Sequence, residues 1–125
     1  YEGSACTLLP NPDFLELLTN DTTSWALARL EAHYIRNQRF QPDDRLLRDI
    51  DRIRTIPAFL VHGRYDLVCP LVGADDLHHA WPEASYVIVD DAGHSSHEPG
   101  IARQLVDAMD RVAQSGRPDL PRRSR

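Results

Sequence analysis

Apolar residues in the first part of the chain recur at helical intervals, and no stretch of residues 1–50 reads as a strand. Leu8-Leu9-Pro10-Asn11-Pro12 reads as a turn in which Asn11 caps and Pro12 opens a short helix to about Leu18. A second capping region, Asn20 to Thr23, predicts a helix from Ser24 to about Asn37. Leu27, Leu30 and Tyr34 form its stripe, with Ala28 and Ile35 beside it. Pro42-Asp43-Asp44 predicts a third helix carrying Leu46, Leu47, Ile50 and Ile53.

The pattern changes at Ile56-Pro57. Ala58 to His62 and Tyr86 to Val89 are continuous rather than alternating apolar runs, which suits strands covered on both faces. Pro70 predicts a helix that runs through Trp81 and stops at Pro82. Glu98-Pro99 predicts a last helix ended by Gly116, with Ile101, Leu105, Ala108, Met109 and Val112 on one face. Strand, helix, strand and helix with short loops form a parallel α/β pattern. Two strands leave both edges open and too little cover for a stable sheet. More strands are therefore expected outside these residues. A chain that begins at Tyr1, with Met109 its one methionine, points the same way.

Composition narrows the function classes. The tail from Arg117 holds four arginines and one aspartate, so the formal charge of −5 divides into +3 there and −8 over the first 116 residues. A body that acidic repels a phosphate backbone, which argues against nucleic acid. The short basic tail, mixed with Pro and Ser, reads as solvated disorder. No apolar run reaches the length of a membrane span, and two cysteines are too few for a disulfide framework. A soluble cytoplasmic protein with reduced thiols is expected, with no membrane partner.

Candidate chemistry collects at the two strand ends. Asp66 follows the first and His94 the second, 28 positions later, where open α/β sheets place their ligand sites. An acid that accepts a hydrogen bond from an imidazole fixes its tautomer and stabilises the imidazolium, the non-nucleophilic part of a Ser-His-Asp triad. No G-x-S-x-G occurs, so the nucleophile is expected elsewhere. His97 reads as a surface residue. His78/His79 and His94/His97 have no convincing third ligand at tight spacing, so neither metal nor cofactor is expected. Glu31 lies on the stripe of Leu27 and Tyr34 with no opposite charge one turn away. Turned inward alone, it would cost on the order of several kcal/mol, so it needs a cation. A substrate ammonium and a distant arginine such as Arg39 both satisfy that need. Glu2, beside the chain end, reads as exposed by default.

Four blocks carry a family resemblance: A-R-L-E-A-H-Y (28–34), H-G-R-Y-D-L-V-C-P (62–70), D-L-H-H-A-W-P-E-A (76–84) and V-D-D-A-G-H-S (89–95). Nearly all of residues 1–114 resembles the C-terminal part of the proline iminopeptidases, serine aminopeptidases of the α/β-hydrolase superfamily. The resemblance implies part of a helical cap over 1–54, the end of the α/β-hydrolase core over 55–114, and a tail over 115–125. It implies Asp66 and His94 as catalytic acid and base, and Glu2 and Glu31 as the groups binding the α-ammonium of a peptide with N-terminal proline. Tyr1 stands where that family usually has Trp, and its G-G-S-W-G and H-G-G-P-G segments are absent. The missing N-terminal half of the hydrolase is thus an expected partner, and the 125 residues alone are expected to be inactive. An esterase, epoxide hydrolase or dehalogenase of the same fold, and a non-catalytic chain, are the alternative readings.

Overall fold

The computed structural model describes residues 2–19 and 21–115, the side chains of Glu2, Leu17, Asp21, Thr23 and Ser115 excepted. The tail expected over 115–125 therefore lies, beyond the helical backbone of Ser115, outside the described residues. Helices come first: α1 (Glu2–Ala5), α2 (Pro12–Thr19), α3 (Asp21–Arg36) and α4 (Arg45–Arg48), with 3-10 turns at Gln38–Phe40 and Ile50–Arg52. Then follow β1 (Phe59–Gly63), α5 (Leu71–Ala80), β2 (Ser85–Val89) and α6 (Pro99–Ser115).

Local chemistry sets several boundaries. The Phe14 N–H donates to Asn11 Oδ1 at 3.0 Å, and Pro12 occupies the first helical position, so α2 starts where its cap and fixed φ favour it. Helix α3 starts three residues before Ser24 and ends before Gln38, Arg39 and Phe40, whose φ values of 50°, 55° and 59° break the right-handed run. Phe40 turns back edge-on to Tyr34, with ring centres 5.5 Å apart.

The third predicted helix is broken into α4 and a 3-10 turn. Of its apolar positions, Leu46 is 53% exposed and Leu47 43%, while Ile50 is buried against Trp81 and Ala84 with Ile53 beside it. Helical spacing alone does not sustain a helix when half of its stripe stays exposed. Arg54 fastens this segment: it donates to Glu83 at 2.9 Å and to the Ala80 carbonyl at 2.7 Å, and its own carbonyl accepts the Trp81 indole N–H.

Strands β1 and β2 are parallel neighbours, in register from Phe59 opposite Ser85 to Gly63 opposite Val89. Successive side chains alternate between faces. Leu60 packs with Trp81, Leu77 and Ile50 on the α5 side; Val61, Val87 and Val89 pack with Ile101 on the α6 side. Both faces are covered, as the continuous apolar runs predicted. Gly100 lets α6 approach closely, because a Cβ there would meet Val89 Cγ1 at 2.5 Å.

Candidate functional site

Loops leaving the carboxyl ends of β1 and β2 run side by side. The Arg64 N–H donates to the Val89 carbonyl at 2.9 Å and the Tyr65 N–H to that of Ala92 at 3.0 Å. Gly63 makes this approach feasible: a Cβ on it would overlap the carbonyl oxygens of Ala92 and Gly93. The chain then turns, and Asp66 faces His94.

His94 Nδ1 lies 3.0 Å from Asp66 Oδ2. A carboxylate only accepts, so Nδ1 carries the proton and Nε2 is the nitrogen left for proton exchange. Asp66 Oδ1 accepts from the N–H groups of Val68 at 2.9 Å and Cys69 at 2.7 Å, closing an Asx-type turn. The Asp66 side chain is 4% exposed. Burial alone would raise its carboxyl, but the Cys69 N–H, the hydrogen bond and charge of the His94 ring, and the Val68 N–H together outweigh it. The pKa lies below the ordinary carboxylate value. Burial, then the Asp66 charge, pushes the neighbouring Cys69 thiol up, so it is no activated nucleophile. Neither Cys6 nor Cys69 forms a disulfide.

His94 opens onto a cavity of about 680 Å³ roofed by the helical half. Phe14 and Leu15 of α2 and Leu27 and Ala28 of α3 supply apolar wall; Ser95, Ser96 and His97 continue it from the His94 loop. Glu31 lines the same cavity and is half-buried. Thus the structure brings together three of the four predicted site residues. The fourth, Glu2, opens α1, but its side chain lies outside the described residues. The α3 stripe is not buried as its period predicted: Leu30 is 59% exposed and Tyr34 52%. Glu31 therefore sits at a cavity wall, not inside a packed core. His97 is exposed, as expected for a surface residue, yet it also borders the cavity with its ring 6.0 Å from that of Phe14.

Two residues around the pair carried little sequence signal. His62, at the end of β1, donates from Nε2 to the Cys69 carbonyl at 2.9 Å and stands 3.4 Å from Asp66 Oδ2. An imidazole closing an otherwise apolar strand was its one visible mark. Glu98 reads in sequence only as the start of a helix, yet it is buried against the His94 loop.

Comparison with known proteins fits this architecture. The family described as "TAP-like protein" matches residues 25–117. A proline iminopeptidase of Arabidopsis thaliana is 46% identical over 113 residues, covering 90% of this chain and 30% of its own length. One from Xylella fastidiosa (strain Temecula1) is 48% identical over 111 residues, 88% of this chain and 36% of its own. A probable proline iminopeptidase of Leptolyngbya boryana is 46% identical over 116 residues, 91% and 36% respectively. The chain spans about a third of the length of these curated relatives and matches a C-terminal part of them. Among the described residues, no helix is long and apolar enough to cross a membrane.

Proposed function

Because the chain belongs to the TAP-like family of α/β-hydrolases, we propose that it supplies the acid, the histidine and part of the substrate-binding roof of a serine aminopeptidase that releases N-terminal proline. On this reading residues 1–54 are part of a helical cap and 55–114 the end of the hydrolase core. The preceding part of the hydrolase brings the nucleophilic serine and the oxyanion donors. The observation that carries the reading is the Asp66–His94 hydrogen bond at the rim of a cavity that also contains Glu31.

The chemistry follows from that geometry. Nε2 of His94 takes the serine proton as the hydroxyl attacks the first carbonyl of the peptide, and Asp66 stabilises the resulting imidazolium. The same proton passes to the departing amine, leaving a prolyl ester on the serine. Water, deprotonated by Nε2, then releases proline and restores the hydroxyl. Glu31, with Glu2, pairs with the substrate's secondary ammonium. An internal amide lacks that charge, which disfavours endopeptidase cleavage. No cofactor enters any step. Work on cytoplasmic peptides, without a nucleic-acid partner, suits the acidic body.

The test joins the N-terminal two thirds of the Leptolyngbya boryana relative to this chain and assays proline 4-nitroanilide. Turnover by the joined enzyme and none by the 125 residues alone is expected. Turnover of simple esters without any of the proline arylamide would favour another α/β-hydrolase activity instead.

A further inference from the structure

Glu98 stands directly before Pro99, yet its carboxylate turns back from α6. Oε1 accepts the Gly93 N–H at 2.6 Å, and the Leu8 N–H lies 3.3 Å from both oxygens. The residue is 8% exposed. Burying a carboxylate is costly unless its lone pairs are satisfied, and here two backbone N–H groups do so, one five residues back and one 90 residues back. One of them immediately precedes His94; the other follows α1. Between them the Cys6 carbonyl accepts the N–H groups of His94 at 2.9 Å and Ser95 at 2.7 Å. Three successive amides, 93 to 95, are thereby pinned to residues 6–8 or to the side chain that also holds residue 8. The fit is close: a Cβ on Gly93 would stand 3.1 Å from both Glu98 Oε1 and the Leu8 nitrogen.

We infer that Glu98 is a positioning residue whose reach, rather than its charge, clamps the His94 loop to the segment between α1 and α2. The clamp keeps Nδ1 on Asp66 and keeps the ring in register with the cavity wall that those helices supply. This rests on the reading in which His94 carries the proton. A displacement of about 1 Å in a reacting group lowers turnover on the order of a hundredfold, so a clamp of this kind acts on rate more than on substrate affinity.

Two conservative variants separate reach from charge. Glu98→Asp keeps the charge but withdraws the carboxylate by one methylene; Glu98→Gln keeps an acceptor oxygen at the original distance. Two readouts are taken, both on the joined enzyme: kcat with KM, and the low-field Nδ1–H proton resonance of His94, with folding checked by far-UV circular dichroism. Glu98→Asp is expected to lower kcat roughly 10- to 100-fold with KM held within about twofold, and to weaken the resonance. Glu98→Gln is expected to recover kcat to within about threefold and to retain the resonance. An Asp variant that matches the unsubstituted enzyme, a Gln variant that loses as much as Asp, or an unsubstituted enzyme without the resonance would each overturn the inference. Should the Asp variant not fold, Gly93→Ala decides: its Cβ pushes on the same carboxylate, and an unchanged resonance would overturn the clamp. If the resonance follows reach while no form turns over the proline arylamide, the clamp stands and the aminopeptidase reading falls.

Discussion

The helices of residues 2–52 and the strand–helix units of residues 59–115 treat their apolar residues differently. Trp81, Tyr86, Val89, Ala92, Ile101 and Ala108 are all buried in the second region, whereas among the described side chains of the first the buried apolar residues are Cys6 and Ile50. Trp25 is 70% exposed, Ile35 68% and Phe40 60%. In the second region side chains pack on both faces of a parallel pair of strands. In the first, the seam beside the site is held by backbone bonds to the Cys6 carbonyl and by Glu98. The difference separates two jobs. The strand ends place Asp66 and His94, and the helices bring a cavity wall and Glu31 to them.

The largest expected effect breaks the strand-end half. Asp66→Asn in the joined enzyme leaves the imidazole without an anionic acceptor, and a fall in kcat on the order of 10⁴ is expected, the size seen when a triad acid is so replaced. A fall of less than about tenfold would remove Asp66 from the mechanism.

Packing comes next. Trp81→Ala empties the buried cluster with Ile50 and Ala84 and is expected to destabilise the chain by about 3–5 kcal/mol in urea melts. Trp25→Ala on the exposed helical face is expected to change stability by less than about 0.5 kcal/mol. Equal losses would erase the contrast between the two regions.

A smaller effect is expected on the helical side. Glu31→Gln removes a charge-assisted contact of about 1.5–3 kcal/mol, so kcat/KM for proline arylamide should drop roughly 10- to 100-fold. An N-acylated substrate, which has no ammonium, should show no such drop. Equal losses on both would mean that Glu31 holds the wall rather than the charge.

The acid limb of stability sharpens the comparison further. The Asp66 carboxyl is held below its ordinary value of 3.8. A lowered pKa means that the unfolded chain binds the proton first, so stability rises with pH across this window. The contribution is fully present above the ordinary value and is lost as the pH falls through the lower folded-state value. Urea midpoints taken between about pH 5 and about pH 2 should fall less steeply for Asp66→Asn than for the unsubstituted chain. Parallel curves would show that the surroundings of Asp66 do not favour its charge.

What could be read from sequence divides along the same line. Both strands, α5, α6 and the placement of Asp66 and His94 follow from apolar runs, prolines and strand-end loops, all local signals. The exposed α3 stripe and the broken third helix do not, because periodicity marks which residues share a face but not what the face meets. Leu30 and Leu46 keep a helical period and remain exposed. Glu98 was least legible, since its bond to Leu8 spans 90 positions and no short pattern encodes such a pairing. Glu31 stands out in sequence for the lack of a helical partner, and the structure places it beside a cavity rather than in a core.

The most direct measurement is the tautomer of His94 from ¹⁵N chemical shifts of its ring in the joined enzyme. A protonated Nδ1 and an unprotonated Nε2 are expected in the neutral ring, with this preference lost in Asp66→Asn. A proton resident on Nε2 in the unsubstituted enzyme, or the same tautomer in both, would contradict this expectation.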